Sequence, residues 1–370
     1  MESPQRLDFE DPAEGSFGAA PGPAELELEN IRRSFGNVDA LAGLNLAIGP
    51  AEIVCLLGPL KSGKTTALRI VTGTERPNSG HVRIGGRLVA GDGTFIPPAR
   101  RPVGYIGPEP TAQSRRSLAS MLGADLKHLN EAERSERVVA AAERVGLDAL
   151  ARSAKVLSKA DRFRAALARI LAAERRLIVL DQPFDALERE LRAAARDDAI
   201  EGLRKTKTAA LIATDDVADA LQIADRIVLM RQGAVVQTAA PELLWRRPKS
   251  AWAAAFLGEV NTMPGIAQAG RVLTPWGTLF RPNLRDGPVQ ILVREAELRA
   301  APRNGSEPEL VVEATKYLGP AYLIVGTLVS ATFGRTQLRA RVALREAPAP
   351  GAKIRLGCEP NAILIFSVES

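Results

Sequence analysis

The sequence predicts two folded parts in series: an α/β domain on a largely parallel sheet, then a smaller all-β domain. Three observations carry this. The short apolar runs LIVLD, AALIAT and RIVLM alternate with helical runs between residues 177 and 230, the pattern of a parallel sheet covered by helices. A strand near Cys55 passes through a glycine-containing loop directly into a helix. After Gly258 the helical period gives way to short strands at fairly regular spacing, broken by Gly and Pro.

Taken in order, LELENIRRSF, LAGLNLAI, EIVCLLG and HVRIGGRLV read as strands between Leu26 and Val89, because apolar residues alternate or run together between Gly, Asn and Pro breaks. A helix interrupts them from Lys64. From about Leu118 to Leu171 the chain is helical, and NEAERSERVVAAAERVGL presents a regular apolar face. The strands LIVLD, AALIAT and RIVLM then alternate with the helices ALERELRAAARDDAIEGLRK and DVADALQIA. Beyond residue 258, VQILVRE, ELVVEATKYLG, AYLIVGTLV, QLRARVAL, KIRLGCEP and AILIF supply the strands of the second part.

At 370 residues the chain exceeds one typical domain, and its 46% hydrophobic content suits a buried core. The net charge of +6 reads as a solvated basic surface. Aromatics are only 4% and the arginine pairs Arg100–Arg101, Arg115–Arg116 and Arg246–Arg247 are scattered, so no nucleic-acid partner is expected. Cys55 and Cys358 sit far apart in strand-like contexts and read as buried thiols; His81 and His128 lack neighbouring ligand residues. Residues 1–24 are acidic and Pro/Gly-rich without an apolar core, which predicts a disordered tail and not a signal peptide. No run approaches the ~20 apolar residues that span a bilayer, so a cytoplasmic chain is expected, reaching any membrane through a partner.

EIVCLLGPLKSGKTTALRI carries the pattern G-x-x-x-x-G-K-[ST] in Gly58, Gly63, Lys64 and Thr65, with a strand before and a helix after. Backbone N–H groups at a helix N-terminus present positive charge to phosphates. The loop Gly58, Pro59, Leu60, Lys61, Ser62, Gly63 with Lys64, Thr65 and Thr66 is therefore the predicted nucleotide site of a P-loop NTPase domain. Lys64 is expected to reach the β- and γ-phosphates and Thr65 to hold Mg²⁺.

With these motifs in place the chain resembles the ATP-binding subunits of ABC importers, in particular the ferric-iron, polyamine and sugar types with a C-terminal TOBE-like (OB-like) β domain. RRSFGNVDALAGLNLAI resembles the family's adenine-stacking segment and puts Phe35 over the base. IPPARRPVGYIG resembles the approach to the glutamine loop, IADRIVLMRQGAVVQTAAPELLWRRP the region beyond the switch residue, and FLGEVNTMPG the junction to the last domain. The resemblance implies an ATP-binding domain over 25–258, with a helical subdomain at about 108–172, and a β domain over 259–370. It further implies ATP and Mg²⁺ as cofactors, Asp181 as a second Mg²⁺ residue, and homodimer or heterodimer pairing. Membrane permease subunits would be the partners, on the inner face of the plasma membrane.

Several family positions are changed. Gln182 follows Asp181 where the family has the glutamate that activates water; an amide orients water but cannot take its proton, and losing a general base costs about 10²–10⁴-fold. The signature is Leu157, Ser158, Lys159, Ala160, Asp161, so Lys159 and Ala160 stand where glycines admit close backbone approach. Pro108 stands for the glutamine, and Lys61 for a loop glycine. DALE, with Asp185 and Glu188, replaces the family's SALD. Asp215 stands for the switch histidine, and either Asp215 or Asp216 is expected to N-cap the following helix.

These changes predict a hydrolysis-impaired subunit with regulatory or scaffolding duty, no catalytic residue being intact. The alternatives are an active ATPase energising import of ferric iron, polyamine or sugar, and a soluble regulatory protein using its β domain as a sensor. The polar, basic segment PEPTAQSRRSLASML predicts a salt-sensitive docking surface around Arg115 and Arg116.

Overall fold

The computed structural model describes residues 24–108, 117–147, 157–302, 307–330, 333–343 and 347–368. The expected tail (save Ala24) and the docking arginines Arg115 and Arg116 lie outside the described residues. The chain divides into two compact units, Met1–Thr238 and Ala239–Ser370.

Among the described residues the first unit holds two sheets. β1 (Leu26–Phe35), β2 (Val38–Ile48), β4 (Ser79–Ile84), β5 (Arg87–Gly91) and β6 (Thr94–Phe95) form one in the order β2-β1-β4-β5-β6. The segment read as one strand over residues 81–89 is a hairpin, because Gly85 and Gly86 take left-handed φ of 55° and 77° that turn the chain between β4 and β5. The other sheet contains β3 (Ile53–Leu57), β7 (Val103–Ile106), β8 (Leu177–Asp181), β9 (Ala209–Thr214), β10 (Arg226–Arg231) and β11 (Ala234–Ala239), in the order β11-β10-β3-β9-β8-β7. β7, β8, β9, β3 and β10 run parallel. Every residue of β3, β8 and β9 is buried, which is why these strands read as unbroken apolar runs.

The helices are α1 (Lys64–Thr72), α2 (Leu118–Leu122), α3 (Glu131–Arg144), α4 (Lys159–Ala172), α5 (Arg189–Lys205) and α6 (Val217–Ile223). α1 buries Ala67, Leu68, Ile70 and Val71 in the core shared by both sheets. Arg101, itself buried, donates from its guanidinium to the Ile70, Val71, Ile96 and Val89 carbonyls and so fastens the C-terminal end of α1 to β5 and the segment before β7. Burial lowers its pKa to about 10. α4 starts at the cap Ser158, whose Oγ accepts from Asp161 N–H at 3.0 Å, and its Phe163 meets Phe184 edge to face at 5.4 Å. α4 thereby packs on the turn that follows β8.

The register at the strand ends positions the site. Leu57 pairs with Thr214 and Asp181 with Ala213, so β3, β9 and β8 release their loops side by side. Ligand sites in open parallel sheets form at the carboxyl ends of strands for this reason.

The second unit begins with α7 (Pro241–Arg246) and α8 (Ala251–Leu257), ahead of the boundary expected at 258/259. Arg294 gives the physical reason for this grouping: it is buried, donates to Ala254 and Trp245 carbonyls at 2.8 and 3.0 Å, and stacks 4.0 Å from the Trp245 ring centroid. β12 (Val260–Gln268), β13 (Arg271–Thr274), β14 (Gly277–Phe280), β15 (Gly287–Arg294) and β21 (Ile363–Ser367) form a sheet in the order β14-β13-β12-β15-β21. β16 (Arg299–Ala301), β17 (Glu309–Tyr317), β18 (Tyr322–Ser330), β19 (Gly334–Val342) and β20 (Lys353–Gly357) form another, β16-β20-β17-β18-β19. Met263, Ile291, Leu310, Ile324, Leu338 and Leu356 share one apolar core. The all-β reading of this part holds, with two short helices at its start. No described helix is long and apolar enough to cross a membrane.

Candidate functional site

The loop Gly58–Gly63 leaves the end of β3 and delivers Lys64 as the first residue of α1. Its two motif glycines are required sterically. A Cβ at Gly58 would lie 2.3 Å from the Met230 carbonyl oxygen, and one at Gly63, where φ is 101°, would lie 2.3 Å from the Ala40 carbonyl oxygen. Ser62 N–H donates to Pro59 O at 3.2 Å and Gly233 N–H to Ser62 O at 3.1 Å, which pins the loop to the turn after β10. Leu60 and Lys61 are exposed at its crest, and Lys61 takes a left-handed φ of 64° that a glycine would adopt without strain.

Lys64 is buried, and its Nζ donates to Gly58 O at 2.7 Å, Pro59 O at 2.9 Å and Ser62 Oγ at 3.3 Å. Burial lowers its pKa, against the opposing pull of Asp215, Asp181 and Asp185. Asp181, the last residue of β8, is buried and accepts from Thr65 Oγ1 at 3.2 Å. Burial raises its pKa, while the Thr65 hydrogen bond, Arg69 and Lys64 oppose that. Thr66 is half-buried beside Thr65 on α1.

Gln182 is held at a left-handed φ of 47°, with its N–H donating to Ala213 O at 2.9 Å; its side chain makes no hydrogen bond among the described residues. Asp215 is exposed and does not cap α6. Asp216 does, accepting from Asp219 N–H at 2.9 Å, because Thr214 Oγ1 holds the Asp216 N–H at 3.0 Å and turns its carboxylate toward the helix. Arg192 of α5 then gathers Asp219 at 2.6 Å, Asp216 at 3.0 Å and Asp185 at 3.6 Å, and Arg196 reaches Asp219 at 3.2 Å.

The structure thus brings Gly58–Thr66, Asp181, Gln182, Asp185 and Asp215 together at adjacent strand ends. Leu157–Asp161 lie at the start of α4, where Ala160 is buried and Asp161 pairs with Arg164 at 3.3 Å. Pro108 is exposed at the end of the described segment after β7. Phe35, at the end of β1, is 47% exposed, with the Arg33 guanidinium 4.5 Å from its ring centroid and Glu75 holding Arg33 at 2.7 Å. Sequence reading did not find the Arg192–Arg196 hub or Arg33 behind Phe35. A signal for the hub existed in two arginines at i,i+4 spacing on one helix and two aspartates at i,i+3 on another.

Chemically, the loop N–H groups, Lys64 and the α1 N-terminus suit a chain of phosphates. Thr65 and Asp181 suit a hard cation shared with those phosphates. No group of three or more His, Cys, Asp or Glu side chains that could hold a metal ion occurs among the described residues.

Comparison with known proteins agrees. The family model "ABC transporter" matches residues 41–185. A "Fe(3+) ions import ATP-binding protein" of Streptomyces coelicolor is 33% identical over 351 residues, covering 93% of this chain and 97% of that one. The chain belongs to the ATP-binding subunits of ABC transporters. A like-named protein of Mesorhizobium japonicum is 31% identical over 348 residues, covering 90% of this subunit and 96% of that protein. Among solved structures, cbiO1 of Clostridium perfringens, described as part of the ABC transporter complex cbiONQ, superposes with a TM-score of 0.56. It is 24% identical and covers 61% of this subunit and 92% of its own chain, a likeness of fold. Members of this family bind ATP, usually with Mg²⁺, and the phosphate loop of this ABC subunit has the residues for both.

Proposed function

We propose that the chain is the ATP-binding subunit of an importer, holding MgATP through Gly58–Thr66 and Asp181 and docking on membrane permease subunits at the inner face of the plasma membrane. The observation that carries this is the phosphate loop, whose Gly58, Gly63, Lys64 and Thr65 keep the motif, with Lys64 bonded to the Gly58 carbonyl and Thr65 to Asp181. Phe35 presents an exposed aromatic surface suited to the base. Bound Mg²⁺ supplies charge neutralisation for the phosphates; the chain's own residues bind and orient them. The domain limits, the two-chain pairing and the contribution of residues 157–161 to a partner's site belong to this proposal.

The relatives' names favour energising import, with ferric iron as the cargo class, over the impaired hydrolysis that the altered motifs suggest. The test is ferric-iron uptake by cells lacking this gene. Uptake restored by the wild-type chain and not by Lys64→Ala supports the reading; uptake indifferent to the deletion removes it.

A second reading, a slow subunit with regulatory or scaffolding duty, is favoured by one specific observation. The two side chains placed beside the phosphate loop by β8 and β9 are Gln182 and Asp215, an amide and a carboxylate. Neither can do what a proton-accepting glutamate and a donating histidine do at those positions. Phosphate release by the purified chain, alone and with its permease, separates the two readings.

A further inference from the structure

We infer that Asp215 sets the nucleotide preference of this site, disfavouring a terminal third phosphate and tilting binding from the triphosphate toward the diphosphate. The inference rests on the phosphate-loop reading and holds under either account of turnover.

Strand register places the group. Leu57 and Thr214 are partners in adjacent parallel strands, so Gly58 and Asp215 are the first residues beyond the same row of the sheet. Asp215 therefore leaves β9 beside the loop that would receive phosphates. Its carboxylate is not consumed by the helix it precedes, since Asp216 caps α6.

Charge accounting around it is lopsided. Asp185, Asp216 and Asp219 share Arg192, and Asp219 also pairs with Arg196, so each of the three has an ion-pair partner. Asp215 has no ion-pair partner among the described residues and is exposed. The cation that the strand register places beside it is Lys64, which opens α1 directly after the loop that leaves the neighbouring strand end. The loop also carries Lys61, exposed at its crest, but Lys64 is the cation that opens α1, so Asp215 and an incoming phosphate face the same buried positive charge.

A triphosphate brings one more negative charge than a diphosphate, and on this inference its terminal phosphate is the one that faces Asp215. Fixed like charge in a partly solvated site is worth on the order of tenfold in affinity per added unit of ligand charge. A diphosphate, lacking that terminal group, would feel less of it.

The test is calorimetric titration of the full chain with MgADP and with a nonhydrolysable MgATP analogue, for wild type, Asp215→Asn and Asp215→Glu. Asp215 is exposed and caps nothing, so both variants should fold. The expected result is a shift of about tenfold in the triphosphate-to-diphosphate affinity ratio toward the triphosphate in Asp215→Asn. Diphosphate affinity should change little, and Asp215→Glu should keep the wild-type ratio. Added salt should narrow the wild-type ratio more than that of Asp215→Asn. An unchanged ratio in Asp215→Asn overturns the inference while leaving the nucleotide site standing. Failure of folded wild-type chain to bind either nucleotide overturns both.

Discussion

At the scale of single residues, the proposed site turns on positions 182, 215, 61 and 181. Gln182→Glu restores a proton acceptor, which alone contributes about 10²–10⁴-fold where the rest of a site is complete. Here Asp215 still stands for a donor, and Lys159 and Ala160 for glycines; such electrostatic contacts are worth about 2.7–4 kcal/mol each. Residues acting as one catalytic unit are strongly non-additive. On the slow reading, phosphate release by Gln182→Glu therefore stays near the Lys64→Ala blank until Asp215→His and glycines at 159 and 160 are added. Full turnover by wild type or by the single variant would leave the energising reading alone.

Lys61→Gly relieves a left-handed backbone and should stabilise the chain by about 1 kcal/mol in urea unfolding. Asp181 gives a pH signature. Burial raises its folded pKa, so the fold favours the neutral carboxyl; that contribution is full below the unfolded value and lost as pH rises through the folded one. Without ligand, Asp181→Asn should melt higher than wild type at neutral pH, and the gap should close as pH falls below the carboxylate range. A gap that persists at acid pH would contradict the desolvation argument.

The phosphate loop was legible because it is contiguous and its residue types have one use, whereas positions 181, 182 and 215 stood out only through the family resemblance. Which aspartate caps α6 was not legible, since Asp215 and Asp216 are equally suited until the Thr214 hydroxyl fixes the Asp216 N–H.

At the scale of elements, the α5–α6 hub deserves a direct perturbation. Arg192→Met leaves buried Asp219 with Arg196 alone and frees Asp185 and Asp216. A loss of about 2 kcal/mol is expected in urea unfolding, the scale of hydrogen bonds to charged groups. Adding Asp219→Asn should recover part of it, because the uncompensated buried charge is gone. Additive losses in the double variant would show that the hub is not one unit.

The central parallel strands were legible from unbroken apolar runs, α3 from its apolar face and α1 from the phosphate loop that precedes it. β12 was not, because Pro264 interrupts it. The structure tolerates the proline since β13 pairs only with Ala267 and Gln268, leaving that side of β12 unpaired at Pro264. α7 and α8 escaped for another reason: each is two turns or less, too short for a helical period to register.

At the scale of the whole molecule, the order of parts was legible and the point of division differed. A buried cation, Arg294, ties α7 and α8 into the second unit, and long-range contacts of that kind leave no local trace in sequence. Both readings of function, and the nucleotide preference inferred from Asp215, depend on one property of the first unit, that it holds MgATP at Gly58–Thr66 and Asp181. Calorimetric titration of the full chain with MgATP, beside Lys64→Ala, tests this most directly. The account predicts saturable binding with one site per chain, abolished in a folded Lys64→Ala variant. No heat of binding at millimolar nucleotide, or binding that Lys64→Ala leaves unchanged, would contradict it.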